Sequence, residues 1–144
     1  PPPFSDDRLR AAGTAAARVA AGDASEDEID GLRPIVDRFR DGVARASLAQ
    51  RVDADVRFHV ALYRLSGNAW IEEITEPHWV HFRRSMHLAL EDPSLREDVW
   101  PEHAAILEAV LAGDAPAATR LADSHARHAG DITAARLNAR SPSE

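Results

Sequence analysis

Apolar residues recur every three or four positions along nearly the whole chain, whereas strict alternation is missing. A period near 3.6 predicts helices, and the scarcity of β-branched runs and Asn-Gly turns leaves little for strands. "SDDRLRAAGTAAARVAAGD" predicts a first helix from Ser5 to about Ala21, stopped at Gly22 and weakened mid-length by Gly13 and Thr14. "SEDEIDGLRPIVDRFRDG" opens on Ser25 with Glu28 three residues on, the pattern of a capping box. Ile29, Leu32, Ile35, Val36 and Phe39 follow at helical spacing, with Gly42 as the stop; Gly31 and Pro34 predict a kink or a late start. A third helix is expected from Ser47 to Leu65, with Gly67 as its C-terminal cap. Asn68 caps a fourth, "AWIEEITEPHWVHFRRSMHLAL", bent at Pro77. "EDPSLRED" reads as a turn, and a fifth helix is expected to start near Pro101. Asp114 caps the sixth, "APAATRLADSHARHAGDITAARL".

Six or seven helices with short connections imply an all-α antiparallel bundle over residues 5–138. "PPPF" at residues 1–4 reads as the remnant of an interdomain linker, because successive prolines favour the polyproline II helix. Residues 139–144 read as a frayed tail.

Composition narrows the function more than the fold. A chain of 144 residues, 44% hydrophobic and 28% charged, supports one globular core. A net charge of −7, with no lysine and scattered arginines, argues against nucleic-acid binding by this chain alone. No apolar run reaches the length of a membrane span, so no membrane partner is expected. The absence of cysteine excludes disulfides and thiolate metal sites, and it fits a cytoplasmic protein.

The candidate chemistry lies in "DVRFHVALYRLSGN". Asp55 and His59 are four residues apart, on one helix face beside Val56, Leu62 and Leu65, and such a pair can hold a metal ion. His103 and His125 lie equally far on either side of Asp114. In an antiparallel hairpin such residues are level, each about 16 Å from the tip at 1.5 Å per residue. One carboxylate and three imidazoles suit Zn²⁺, Ni²⁺, Mn²⁺, Co²⁺ or Fe²⁺ without choosing among them. The bland alternative is that these histidines are hydrogen-bonded core residues. A buried aspartate, costly unless paired or metal-bound, pulls the other way. Leu121 and Ala118 mark the expected buried face before His125, which fits the turn geometry better than His128 does.

Taken together, these motifs resemble the C-terminal effector-binding domain of FadR-type regulators in the GntR family. The residues that carry the resemblance are Asp55, Phe58, His59, Leu62, Ser66, Gly67 and Asn68, then Glu102, His103, Ile106, Ala109, Val110, Gly113 and Asp114, and finally Ala118 and His125. The resemblance implies a dimeric, non-enzymatic helical module that senses a small organic acid. It also implies a divalent metal held by Asp55, His59, His103 and His125. DNA would be reached only through a winged-helix domain upstream. The resemblance further implies that arginines on the fourth helix face the effector, which singles out Arg83 and Arg84, with His81 and Asn68 as further candidates. One departure stands out: the first helix has Leu9 and Gly13 where an effector-facing arginine and a glutamate are expected, with Arg8 and Arg10 adjacent. The register is shifted by one, or the contact comes from elsewhere.

Two other readings remain open. A metal-dependent hydrolase wants a general base beside the ion, and neither H-E-x-x-H nor the paired Glu-x-x-His motifs of di-iron bundles is present. A purely structural dimerisation bundle needs no ion at all. Trp70, Trp79 and Trp100 are expected as core or interface anchors.

Overall fold

The computed structural model describes residues 5–40 and 45–140, with side chains placed for residues 10–38 and 45–140. Among the described residues every regular element is helical. The order is α1 (Ser5–Ala21), α2 (Glu26–Asp30), α3 (Arg33–Arg40), α4 (Leu48–Leu65), α5 (Ala69–Thr75), a 3₁₀ turn (Glu76–His78), α6 (Trp79–Leu90), α7 (Pro93–Leu111) and α8 (Ala115–Arg140). The expected second and fourth helices are thus each broken in two. Gly31 and Leu32 separate α2 from α3, and Pro77 lies in the 3₁₀ turn between α5 and α6, where its missing N–H costs no α-helical bond.

The ends follow local chemistry. Ser25 and Glu28 form the expected capping box, Ser25 N–H donating to Glu28 Oε2 at 2.8 Å. Ser47 and Gln50 form a second one at the start of α4. The hairpin of α7 and α8 is closed by Gly113 at φ +70°, which lets the Asp114 N–H reach back to the Ala109 carbonyl at 2.9 Å. The Asp114 carboxylate then accepts from the Ala117 N–H at 3.0 Å and starts α8.

Two boundaries differ from expectation. Helix α7 begins at Pro93, not Pro101: Asp92 accepts from the Ser94 N–H at 3.0 Å, and Pro93 takes the first-turn place. Pro101 sits mid-helix on the exposed side, where water can satisfy the carbonyl it leaves unpaired. Helix α8 continues through Arg140, so residues 139–140 are not frayed. Arg136 and Arg140 tie that end to Glu91 at 3.1 and 2.5 Å. The expected stop at Gly42, the linker at 1–4 and the tail at 141–144 lie outside the described residues, as does the Phe39 side chain.

Helix α1 packs along α8 and α7, α4 lies against α1 and α6, and α6 closes on α8. The largest buried cluster runs through Leu32, Val36, Phe58, Leu65, Ile106 and Val110, all 0–1% exposed. A second one, around Leu90, Leu95, Val99 and Trp100, lies beside it. Gly13 is where α1 meets α8: a Cβ there would lie 2.2 Å from Thr119 Oγ1, so any larger residue would force the Thr119 side chain or the helix to shift.

Candidate metal centre and cavity

Helix α4 buries Val52, Asp55, Phe58, Leu62 and Leu65, a three-to-four spacing that turns the Asp55 carboxylate inward with the apolar stripe. Val56, expected in that stripe, is only half-buried, and Phe58 takes its place. On α7 the same spacing buries His103 with Val99, Ile106 and Val110. On α8 the buried residues are Ala118, Ala122 and His125, while Leu121 turns outward at 37% exposed.

The structure brings Asp55, His59, His103 and His125 together. One ligand atom from each lies within 4.8 Å of all the others. The His103 and His125 Nε2 atoms are 3.2 Å apart, which is the level placement expected from their equal distance to Asp114. Asp55 Oδ1 is 3.3 Å from His103 Nε2 and 3.4 Å from His59 Nε2, yet it is buried and makes no hydrogen bond. The nitrogens are near enough for an ion pair but not aligned to donate. Ligand atoms held about 2.0–2.1 Å from one ion are about 3.3 Å apart in a tetrahedral shell. The three short separations match that spacing. An orphaned carboxylate oxygen facing imidazole nitrogens therefore fits a cation, and the donor set is borderline-hard.

The surroundings fix the rings. Phe58 stacks on His103 with centroids 3.9 Å apart and planes inclined by 16°, and Trp100 meets the same ring edge-on at 4.8 Å. His103 is wholly buried, and this burial, with His125 and His59 adjacent, pushes its pKa well below the ordinary histidine value. The ring stays neutral, as a ligand must. His125 Nδ1 lies 2.7 Å from Glu102 Oε2. The imidazole donates its Nδ1–H there, which leaves the Nε2 lone pair for the cluster. Glu102 Oε1 takes His128 Nδ1 at 2.7 Å in the same way. Burial alone would raise the Glu102 pKa, but the hydrogen bonds from the two histidines outweigh it and the carboxyl titrates below its usual value. His128 is thus a partner of the carboxylate that orients His125 and is not in the four-atom group.

Glu102, Phe58 and Trp100 were not singled out by spacing as supports of the site. For Glu102 a signal was present: it precedes His103 by one residue and so points toward α8, about 100° around α7.

A cavity of about 540 Å³ opens onto this cluster, with Asp55, His59 and His125 in its wall. Tyr63, Trp79 and Phe82 form an aromatic side, the Tyr63 and Trp79 rings stacked at 6.3 Å and Trp79 meeting Phe82 at 5.5 Å. The four effector candidates are not among the lining residues. Arg83 pairs with Asp53 and, with Arg84, lines a separate groove of about 770 Å³ bounded by His87 and Glu91. His81 is exposed, beside His78, and Asn68 is used as the α5 cap, accepting from the Trp70 N–H at 3.1 Å. The reason is rotational. Phe82, Ser85, Met86 and Ala89 give α6 its cavity face, and Arg83 and Arg84 fall to its side. Arg10 is also exposed, and the Arg8 side chain lies outside the described residues. Of the tryptophans, Trp100 is core, Trp79 lines the cavity, and Trp70 is 69% exposed.

The sequence profile of the FCD domain matches residues 13–128, a span that holds all four converging residues. The chain belongs to the FCD family. FCD domains are the C-terminal effector-binding domains of FadR-type GntR regulators, so the expected family and all-α fold both stand. Among curated proteins none matches the chain. No helix of this FCD domain, among the described residues, is long and apolar enough to cross a membrane.

Proposed function

We propose that this FCD domain is the effector-sensing and dimerising part of a GntR-family transcription regulator, without catalytic activity. It would hold one divalent transition metal (zinc, nickel, manganese or iron) through Asp55, His59, His103 and His125, and a small organic acid beside it. The observation that carries this reading is the buried Asp55 Oδ1, without a hydrogen bond and flanked by two imidazole nitrogens at 3.3 and 3.4 Å. An ion there supplies a Lewis-acidic point for a carboxylate. His103 and His125 contribute neutral Nε2 donors, and Glu102 holds the tautomer of His125. The cavity gives the acid a place to lie. Arg83, Arg84, His81 and Asn68 lie outside the lining of that cavity; Arg83 pairs with Asp53 and Asn68 caps α5.

In such a regulator, DNA is reached through a winged-helix domain upstream of residues 1–4, and the protein works in the cytoplasm as a homodimer. The effector acts by binding one arrangement of the dimer more tightly than another. The decisive experiment is elemental analysis of protein purified without chelator, wild type against His103→Ala. Near-stoichiometric metal in the wild type and loss in the variant are expected; equal content ends the reading. Sedimentation velocity tests the dimer.

A further inference from the structure

We infer that the effector is a monocarboxylate with an apolar body, such as a medium-chain aliphatic acid, and neither a sugar acid nor a dicarboxylate. The inference rests on the metal-and-carboxylate reading above and narrows it. At the cluster end of the cavity the wall is polar, with Asp55, His59 and His125. Away from that end it is nearly all hydrocarbon: aromatic rings on one side, Met86, Leu90 and Leu95 below, and on α8 a run of small residues. The polar atoms that remain are few. The Thr133 hydroxyl already donates to the Ala129 carbonyl at 2.8 Å, Ser85 lies at the exposed edge, and the aromatic side adds only the Tyr63 hydroxyl and the Trp79 indole N–H.

Charge points the same way. All 17 basic residues of the chain are arginines, and among the described residues none lines this cavity. A second carboxylate against this hydrocarbon wall would lose water without gaining a cation, and most hydroxyls of a sugar acid would find no partner there. An alkyl chain meets neither penalty, and about 540 Å³ falls in the range of small-molecule pockets. The α8 wall is open because Ala126, Ala129, Gly130 and Ala134 are small, and a Cβ built on Gly130 meets nothing within 4 Å.

The test is calorimetric titration of the metal-loaded chain with acetate, butyrate, hexanoate and octanoate, and with gluconate and citrate. Affinity is expected to rise about fourfold per added methylene from butyrate to octanoate. Gluconate and citrate are expected to bind no better than acetate. A flat series, or gluconate or citrate outbinding octanoate, overturns the inference while leaving the metal reading intact. Protein that carries and takes up no metal overturns both. Gly130→Leu adds a second arm: metal content and acetate binding stay, and octanoate weakens at least tenfold. Unchanged octanoate binding in that variant also sinks the inference.

Discussion

The two halves of α8 carry the same kind of residue and do opposite things. From Ala115 to Ala122 its small side chains let α1 approach until Gly13 touches Thr119 and Gly113 touches Ala20, where an added Cβ would fall 2.2 and 2.8 Å from its neighbour. From Ala126 to Ala134 equally small side chains line the cavity, Ala129 touching the cluster around Leu90 and Trp100, and an added Cβ at Gly130 would meet only space. Alanine and glycine on a helix face therefore do not specify close packing. What they specify depends on whether another rod arrives to fill the room. Here α1 covers the first half, and the second half, bounded by α6 and the ends of α4 and α7, stays hollow. His125 marks the border, which puts the candidate metal between packed core and cavity.

The sharpest way to break this comparison is to put the same side chain into both halves. Gly13→Leu forces α1 off α8 and is expected to destabilise the fold by about 3 kcal/mol, the upper end of overpacking costs. Gly130→Leu adds its side chain to open space and is expected to change stability by less than about 1 kcal/mol. Urea denaturation followed by circular dichroism measures both. Similar losses in the two variants would mean that the halves are packed alike.

A second prediction addresses the border. Zinc at about one hundred times its dissociation constant is expected to raise the unfolding free energy by about 2.7 kcal/mol, if it binds only the native state. His103→Ala is expected to abolish that increment, and Gly13→Leu to retain it, because Gly13 contacts no ligand. Melting curves with zinc and with excess chelator read the difference.

The hollow half also predicts a gain. A glycine inside a helix costs about 0.5–1 kcal/mol relative to alanine. Gly130→Ala meets no neighbour, so it is expected to stabilise by about that amount, whereas Gly13→Ala, with Thr119 Oγ1 in the way, is expected to destabilise. Opposite signs for one substitution in one helical bundle are the signature to look for.

Much of the bundle was legible because its signals are local. Ser25 with Glu28, Gly67, Asn68 and Asp114 act through their own neighbours, so their roles survive without knowledge of the fold. The level placement of His103 and His125 was legible for a different reason: one tight turn at Gly113 fixes the register of two rods. What failed was rotation about an axis and competition between similar signals. Leu121 and the arginines of α6 depend on which side of a helix meets a neighbour, and a few tens of degrees decide it. Pro93 and Pro101 both suit a first turn, and only the Asp92 cap favours the former. The cavity was illegible because it is made by residues that are too small, and an absent side chain leaves no periodic mark.

The smallest expected effect concerns what keeps the hollow half of α8 in place beyond the cavity. There Arg136 meets Glu91 at 3.1 Å and Asp92 at 3.4 Å, and Arg140 meets Glu91 at 2.5 Å. The Arg136 hydrogen bond, with the two guanidinium charges, lowers the Glu91 pKa. Asp92 is lowered first by the Ser94 hydroxyl and N–H, with Arg136 adding to them. A carboxylate whose folded pKa is depressed stabilises the fold fully above its unfolded value, about 4, and loses that contribution as pH falls through the folded value. The end of α8 is therefore expected to loosen first below about pH 4, through these half-buried, partly screened pairs, while the half against α1 holds. Amide exchange across pH 3 to 6 should show protection at residues 131–140 falling before that at residues 115–122. Arg136→Ala should weaken protection at the far end at pH 6 and flatten its pH dependence. Equal loss along both halves of the helix would mean that its end is held by burial alone, and that the two halves differ in packing but not in what anchors them.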